Sequence, residues 1–234
     1  MTILGKGALL AGLVGIVLGG VVSAQPLTDD EFKCQQKTNK AGAKFVSSKA
    51  KCGSKCIQSA IKGDNPFSDC FAPYGGATAF CVGDVVKGAE TKFAASIVKA
   101  CTKAPEDCPE CYSGGDCSVT GEAADRVANL ENQVDSFGPG VFCEQPGADE
   151  GETKCELNTA KTLAKLVGSV DKCYDKCNKN ARKGLMAQST CVPPATDPAT
   201  MDCISAADGK SIEGVNKKCS DVGAIPDCSV STAR

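Results

Sequence analysis

The chain contains no histidine. Without an imidazole there is no Ser–His or Cys–His couple, no histidine metal ligand and no c-type haem attachment. Tryptophan is absent as well, and aromatic residues make up only 5% of the 234 residues. Large side chains to anchor a core are therefore scarce, and small lobes of this composition call for covalent staples. No Asn-x-Ser/Thr acceptor and no EF-hand spacing occurs. A net charge of −2 with few aromatics offers nucleic acid neither a basic surface nor a stacking platform. Two carboxylates at a suitable separation would suffice for acid–base chemistry, but no spacing singles out a pair. These absences leave no recognisable catalytic constellation, and the chain is expected not to be an enzyme.

Cysteine is what the chain has in quantity, 17 residues in all. Ahead of them, Met1 to Lys6 carries one positive charge, Ala8 to Val22 is an unbroken apolar run, and Val22-Ser23-Ala24 suits a signal peptidase. The run is about 15 residues where a membrane span needs roughly 20. Residues 1–24 therefore read as a cleaved signal peptide, with no membrane span afterwards. Export places the cysteines in an oxidising compartment, secreted, periplasmic or at the cell surface, where disulfides are the default. The odd count leaves at least one thiol free, capped or paired between chains.

The spacing Cys34–x17–Cys52–x3–Cys56–x13–Cys70 recurs as Cys155–x17–Cys173–x3–Cys177–x13–Cys191, an offset of 121 residues. Identical pairs between the cysteines include Thr38/Thr159, Lys40/Lys161, Ala43/Ala164, Val46/Val167, Ser48/Ser169, Lys51/Lys172 and Lys55/Lys176. An internal duplication accounts for this pattern. Residues 25–104 form the first cysteine-rich helical repeat, 105–151 a connector and 152–234 the second repeat.

Each repeat opens on a long helix. Eighteen residues at about 100° each make five whole turns, so Cys34 and Cys52 share a face and Cys56 lies one turn further on. Ala41, Phe45 and Val46 fall near the same stripe, as do Leu163, Leu166, Val167 and Val170 in the second copy. Thr28, Asp29 and Asp30 suit the first N-terminus, Asp149 to Glu152 the second, and Gly63-Asp64-Asn65-Pro66 stops the first helix. Val192-Pro193-Pro194 bars a helix from the irregular stretch of the second copy. A second helix is expected over about Asp84 to Lys103 and about Ser205 to Lys218, ending on a cysteine, Cys101 or Cys219. Helices that fold back on each other bring the cysteines nearest the turn together first. Nested pairs follow: Cys56–Cys70, Cys52–Cys81 and Cys34–Cys101, then Cys177–Cys191, Cys173–Cys203 and Cys155–Cys219.

The connector is strongly acidic, with 11 Asp and Glu against Arg126 alone, whereas the flanking copies are net basic at 12 against 7 and 12 against 10. Opposite signs leave two readings open, a docked segment or a solvated linker. One helix is expected over about Gly121 to Ser136, its apolar face marked by Val127, Leu130 and Val134. Cys108, Cys111, Cys117, Cys143 and Cys228 have no assigned partner. Cys108-Pro109-Glu110-Cys111 resembles half of a rubredoxin knuckle over four residues, but the second CxxC of such a site is missing, Pro109 argues against the helix a redox dithiol opens, and an ordinary disulfide loop is expected.

The expected fold class is mainly α: two homologous disulfide-stapled helical hairpins joined by an acidic, cysteine-containing connector with one helix. Its expected role is a structural or binding module without a cofactor, for an unidentified protein, polysaccharide or surface partner. An alternative rests on Cys52, Cys56, Cys173 and Cys177, which place paired sulfurs on helical faces suited to Cu(I) or zinc. That arrangement is similar to exported bacterial copper-storage helical bundles, and the resemblance implies thiolate metal storage.

Overall fold

The computed structural model describes residues 28–101, 122–135, 141 and 150–220. Six α-helices account for most of them, and no strand occurs among the described residues. They are α1 (Asp29–Ile61), α2 (Gly76–Gly83), α3 (Ala89–Cys101), α4 (Glu122–Asp135), α5 (Glu150–Arg182) and α6 (Pro198–Cys219). Single 3-10 turns at Phe67–Cys70 and Gln188–Cys191 follow the two long helices. The signal-peptide and CxxC readings, with Cys108, Cys111, Cys117, Cys143 and Cys228, lie outside the described residues.

The long helices begin and end on local signals. At the start of α1 the Thr28 hydroxyl accepts from the Glu31 amide at 3.3 Å, and the Glu31 carboxylate accepts from the Thr28 amide at 2.6 Å. This reciprocal capping satisfies two donors that a helix N-terminus leaves free. At the other end Gly63 turns left-handed at φ 82°, its amide bonding to Ala60 O and that of Asp64 to Ser59 O. α5 stops in the same way at Gly184, φ 73°, with Gly184 bonding to Ala181 O and Leu185 to Asn180 O. Glycine has no Cβ to oppose that conformation.

The helix expected after Asp84 differs between the copies. In the first it is α3 alone, which starts at Ala89, later than expected, and a short helix the sequence did not mark, α2, precedes it across a turn at 84–88. Asp84 Oδ1 accepts from the amides of Val86 (3.0 Å) and Lys87 (2.6 Å), which closes the turn. Gly88 packs so tightly that a Cβ would sit 2.5 Å from Asp84 N. In the second copy a single helix starts earlier than expected, at Pro198, capped by Asp197, whose carboxylate accepts from the Thr200 amide at 2.8 Å. The spacing from Cys81 to Cys101 is four residues longer than from Cys203 to Cys219. The turn at 84–88 takes up that excess.

The chain divides into two compact units, and α1 and α5 contribute to both. The first combines residues 28–44, 93–101, 122–130 and 167–207. Here α1 and α5 run antiparallel: Asp29 pairs with Arg182, Gln36 with Asp175, and a Cβ at Gly168 would lie 3.9 Å from that of Ala43. Seven residues forward along α1 meet seven back along α5, the period of a helical seam. Arg182 also stacks 4.5 Å from the Phe32 ring. The second unit combines 45–92, 131–135, 141, 150–166 and 208–220. Its core gathers Cys56, Ile57, Ala60, Cys70, Val141 and Ala160, with Phe67, Phe71, Leu157 and Leu163 packed against it. Ile57 is fully buried.

Candidate functional site

Among the described residues, twelve cysteines meet in six bridges. Within the first unit Cys34 bonds to Cys101, Cys173 to Cys203 and Cys177 to Cys191. Within the second Cys52 bonds to Cys81, Cys56 to Cys70 and Cys155 to Cys219. Sequence separations of 67, 29 and 14 in the first copy match 64, 30 and 14 in the second. The sulfurs named for metal, those of Cys52, Cys56, Cys173 and Cys177, each belong to a bridge. A bridged sulfur carries no thiolate with which to ligate a soft cation. Ten of the twelve cysteines are buried, while Cys81 is exposed and Cys203 half-buried.

The densest polar cluster forms around Lys49, a residue the sequence reading passed over. Lys49 stands on the core-facing stripe of α1 and is only 3% exposed. Its ammonium lies 2.9 Å from Glu131 Oε1 and 2.6 Å from Asp135 Oδ1, both on α4. The Phe45 and Tyr74 rings flank it at 5.6 and 5.2 Å. Tyr74 donates its hydroxyl to Asp135 Oδ1 at 2.7 Å. Glu90, in the first turn of α3, hydrogen-bonds to Glu131. Leu130 and Val134 are buried on the same helix. The acidic connector is thus docked here through α4, by a seam of charge inside a strip of apolar side chains.

Burial, then the bond to Glu131 and the nearby negative charge, raise the Glu90 carboxyl to about 7. Burial also opposes ionisation of Glu131, but bonds from Glu90 and Lys49 outweigh it and hold that carboxyl below the usual range. The Tyr74 phenol is pushed well up by burial and then by its bond to Asp135. Two hydrogen-bonded carboxyls must share a proton, so this site can take up and release one near neutrality. Lys49 is not open to a substrate, because both of its near partners already occupy it.

A second buried acid lies in the first unit. Asp171 is 6% exposed, its Oδ1 is without a hydrogen-bond partner, and burial followed by Asp175 raises it to about 6. Among the described residues no group of three or more acids and cysteines is arranged to hold a metal ion.

The turn at 84–88 exposes two large apolar side chains, Val85 at 84% and Val86 at 71%, next to Phe80 at 72% on α2. The second copy has no counterpart to this turn. Among the described residues no helix is long and apolar enough to cross a membrane. The chain matches no protein-family model, and no curated protein or solved structure is similar to it beyond chance.

Proposed function

We propose that the chain is an exported, non-enzymatic binding or structural module that offers a rigid helical frame to a protein, polysaccharide or surface partner. The observation that carries this reading is the bonding of the twelve described cysteines into six bridges, which leaves the frame stiff and those sulfurs unreactive. A second support is the turn at 84–88, where three hydrogen bonds accepted by Asp84 fix a backbone that projects two valines into solvent. Apolar side chains held out on an ordered turn lose little freedom when a partner covers them. The apolar run within residues 1–24 and the density of bridges both fit a secreted, periplasmic or cell-surface protein.

Alkylation of the native exported protein, read by intact mass beside a Cu(I) titration, tests the reading. The expected result is no label on the twelve repeat cysteines before reduction and no copper retained by the folded chain. Label at Cys52, Cys56, Cys173 and Cys177, with several copper equivalents on an intact fold, would replace this function with metal storage.

A further inference from the structure

We propose that Lys49, Tyr74, Glu90, Glu131 and Asp135 form a proton-operated clasp that fastens the connector helix α4 onto α1. One ammonium from α1 faces three carboxyls, Glu90 from α3 and Glu131 and Asp135 from α4, with the Tyr74 hydroxyl from the loop before α2 completing the set. Lys49 neutralises Glu131 and Asp135 only in part, so a third charge from Glu90 is unfavourable at this position. A proton on Glu90 removes that charge and supplies the hydrogen that bonds it to Glu131.

Below neutrality the set is therefore complete. Glu90 donates to Glu131, Lys49 binds Glu131 and Asp135, and Tyr74 donates to Asp135. Above neutrality Glu90 loses the shared hydrogen, faces Glu131 as a like charge, and the α4 side of the seam weakens. The direction follows from the carboxyl's displacement from its ordinary value of 4.5 to about 7. The docked helix binds the proton that a released one would lose, so the contribution of Glu90 to docking is complete below about 4.5 and is lost as pH rises through about 7. The depression of Glu131 works at the acid end and in the opposite sense, which places the useful window between about pH 5 and 8. Leu130 and Val134 stay buried through the change, so the clasp tunes how often α4 opens and does not by itself expel it.

The test is amide hydrogen exchange of the full chain at pH 5 and pH 8, corrected for the intrinsic rates. Protection of the α4 amides at 130–135 is expected to fall about tenfold across that interval, a figure kept low because Glu90 is partly open to water. Glu90→Gln keeps a neutral donor beside Glu131 at every pH, so it should remove most of the fall. Asp171→Asn, which neutralises the other raised acid, should leave the fall in place. Equal wild-type protection at both pH values would overturn the proposal, as would a fall that survives Glu90→Gln or vanishes with Asp171→Asn. A carbon-13 titration of the wild-type Glu90 carboxyl keeps it falsifiable should a variant misfold: a midpoint near 7 supports the clasp, and one below 5 refutes it.

Discussion

Replacing Cys34 and Cys101 together by alanine lowers the unfolding free energy by about 2–4 kcal/mol. The bridge closes 67 residues, for which the chain-entropy estimate alone is roughly 4 kcal/mol. The lower part of the range is expected because Cys52–Cys81 and Cys56–Cys70 already shorten the loop inside it. The matching pair Cys155 and Cys219, separated by 64 residues, should cost a similar amount. Bridges of this weight are needed because the core is modest: its largest fully buried side chains are Ile57, Cys155 and Cys177. Sulfur itself fills the interior. Graded reduction adds an order to the expectation. Cys52–Cys81 and Cys173–Cys203 each place one cysteine within reach of solvent, whereas the other four bridges are buried at both ends. The two accessible bridges should open first, with most of the helical circular dichroism retained, and loss of the outer bridges should then release the helices. Denaturant midpoints of the paired alanine variants check the first statement. Stability changes below 0.5 kcal/mol, a small fraction of the estimate, would refute it.

Lys49→Met is the substitution expected to do most damage without touching a cysteine. It keeps the length of the side chain but removes the ammonium that pairs with Glu131 and Asp135 and faces Glu90. Breaking one side of a buried ion pair costs about 3–5 kcal/mol. The two partner carboxylates keep 29% and 20% of their side-chain exposure, so water relieves part of the loss and about 2–3 kcal/mol is expected at pH 8. The pH dependence identifies the cause. Carboxyls deprived of their cation hold protons more tightly in the folded state than in the unfolded one, so the folded variant regains stability as pH falls toward 5. Neutralising the partners as well, with Glu131→Gln and Asp135→Asn on the Lys49→Met background, should recover much of the loss at pH 8. The backbone tolerates an apolar residue here, since Val170 occupies the matching position of α5 and is 3% exposed. Urea unfolding of the single and triple variants at both pH values makes the comparison.

Much of the frame was legible because cysteine spacing and helical period constrain each other. Eighteen residues between Cys34 and Cys52 require five turns of one helix, and nested pairing then follows from folding that helix back. The structure brings together those six pairs, and it buries Ala41, Phe45, Val46, Leu166, Val167 and Val170 on the stripe read from the period. The connector helix was read as about Gly121 to Ser136 and spans Glu122–Asp135. The helix after Cys81 was harder, because its boundaries depend on a side chain bonding its own backbone at Asp84 and on the room left at Gly88. The stop at Gly184 lies 121 residues after Gly63, so the repeat spacing carries it from the first long helix to the second. The Lys49 cluster was missed for a different reason. A lysine on a cysteine stripe reads as one more basic residue until its partners are known, and those come from a segment some eighty residues away. Comparing the copies would have flagged it, since the second copy places valine at that point of the stripe. The antiparallel register of α1 on α5 is a property of tertiary packing that no spacing within either copy encodes.

The same three bridges recur at matching positions in the two cysteine-spaced copies, and none of the six joins one copy to the other. Digestion of the exported protein under non-reducing, thiol-blocked conditions, followed by mass assignment of the linked peptides, tests it most directly. The predicted result is six links, Cys34–Cys101, Cys52–Cys81, Cys56–Cys70, Cys155–Cys219, Cys173–Cys203 and Cys177–Cys191, each within one copy. Links that join the copies, such as Cys56 to Cys177, or free thiols at these twelve positions, would contradict it.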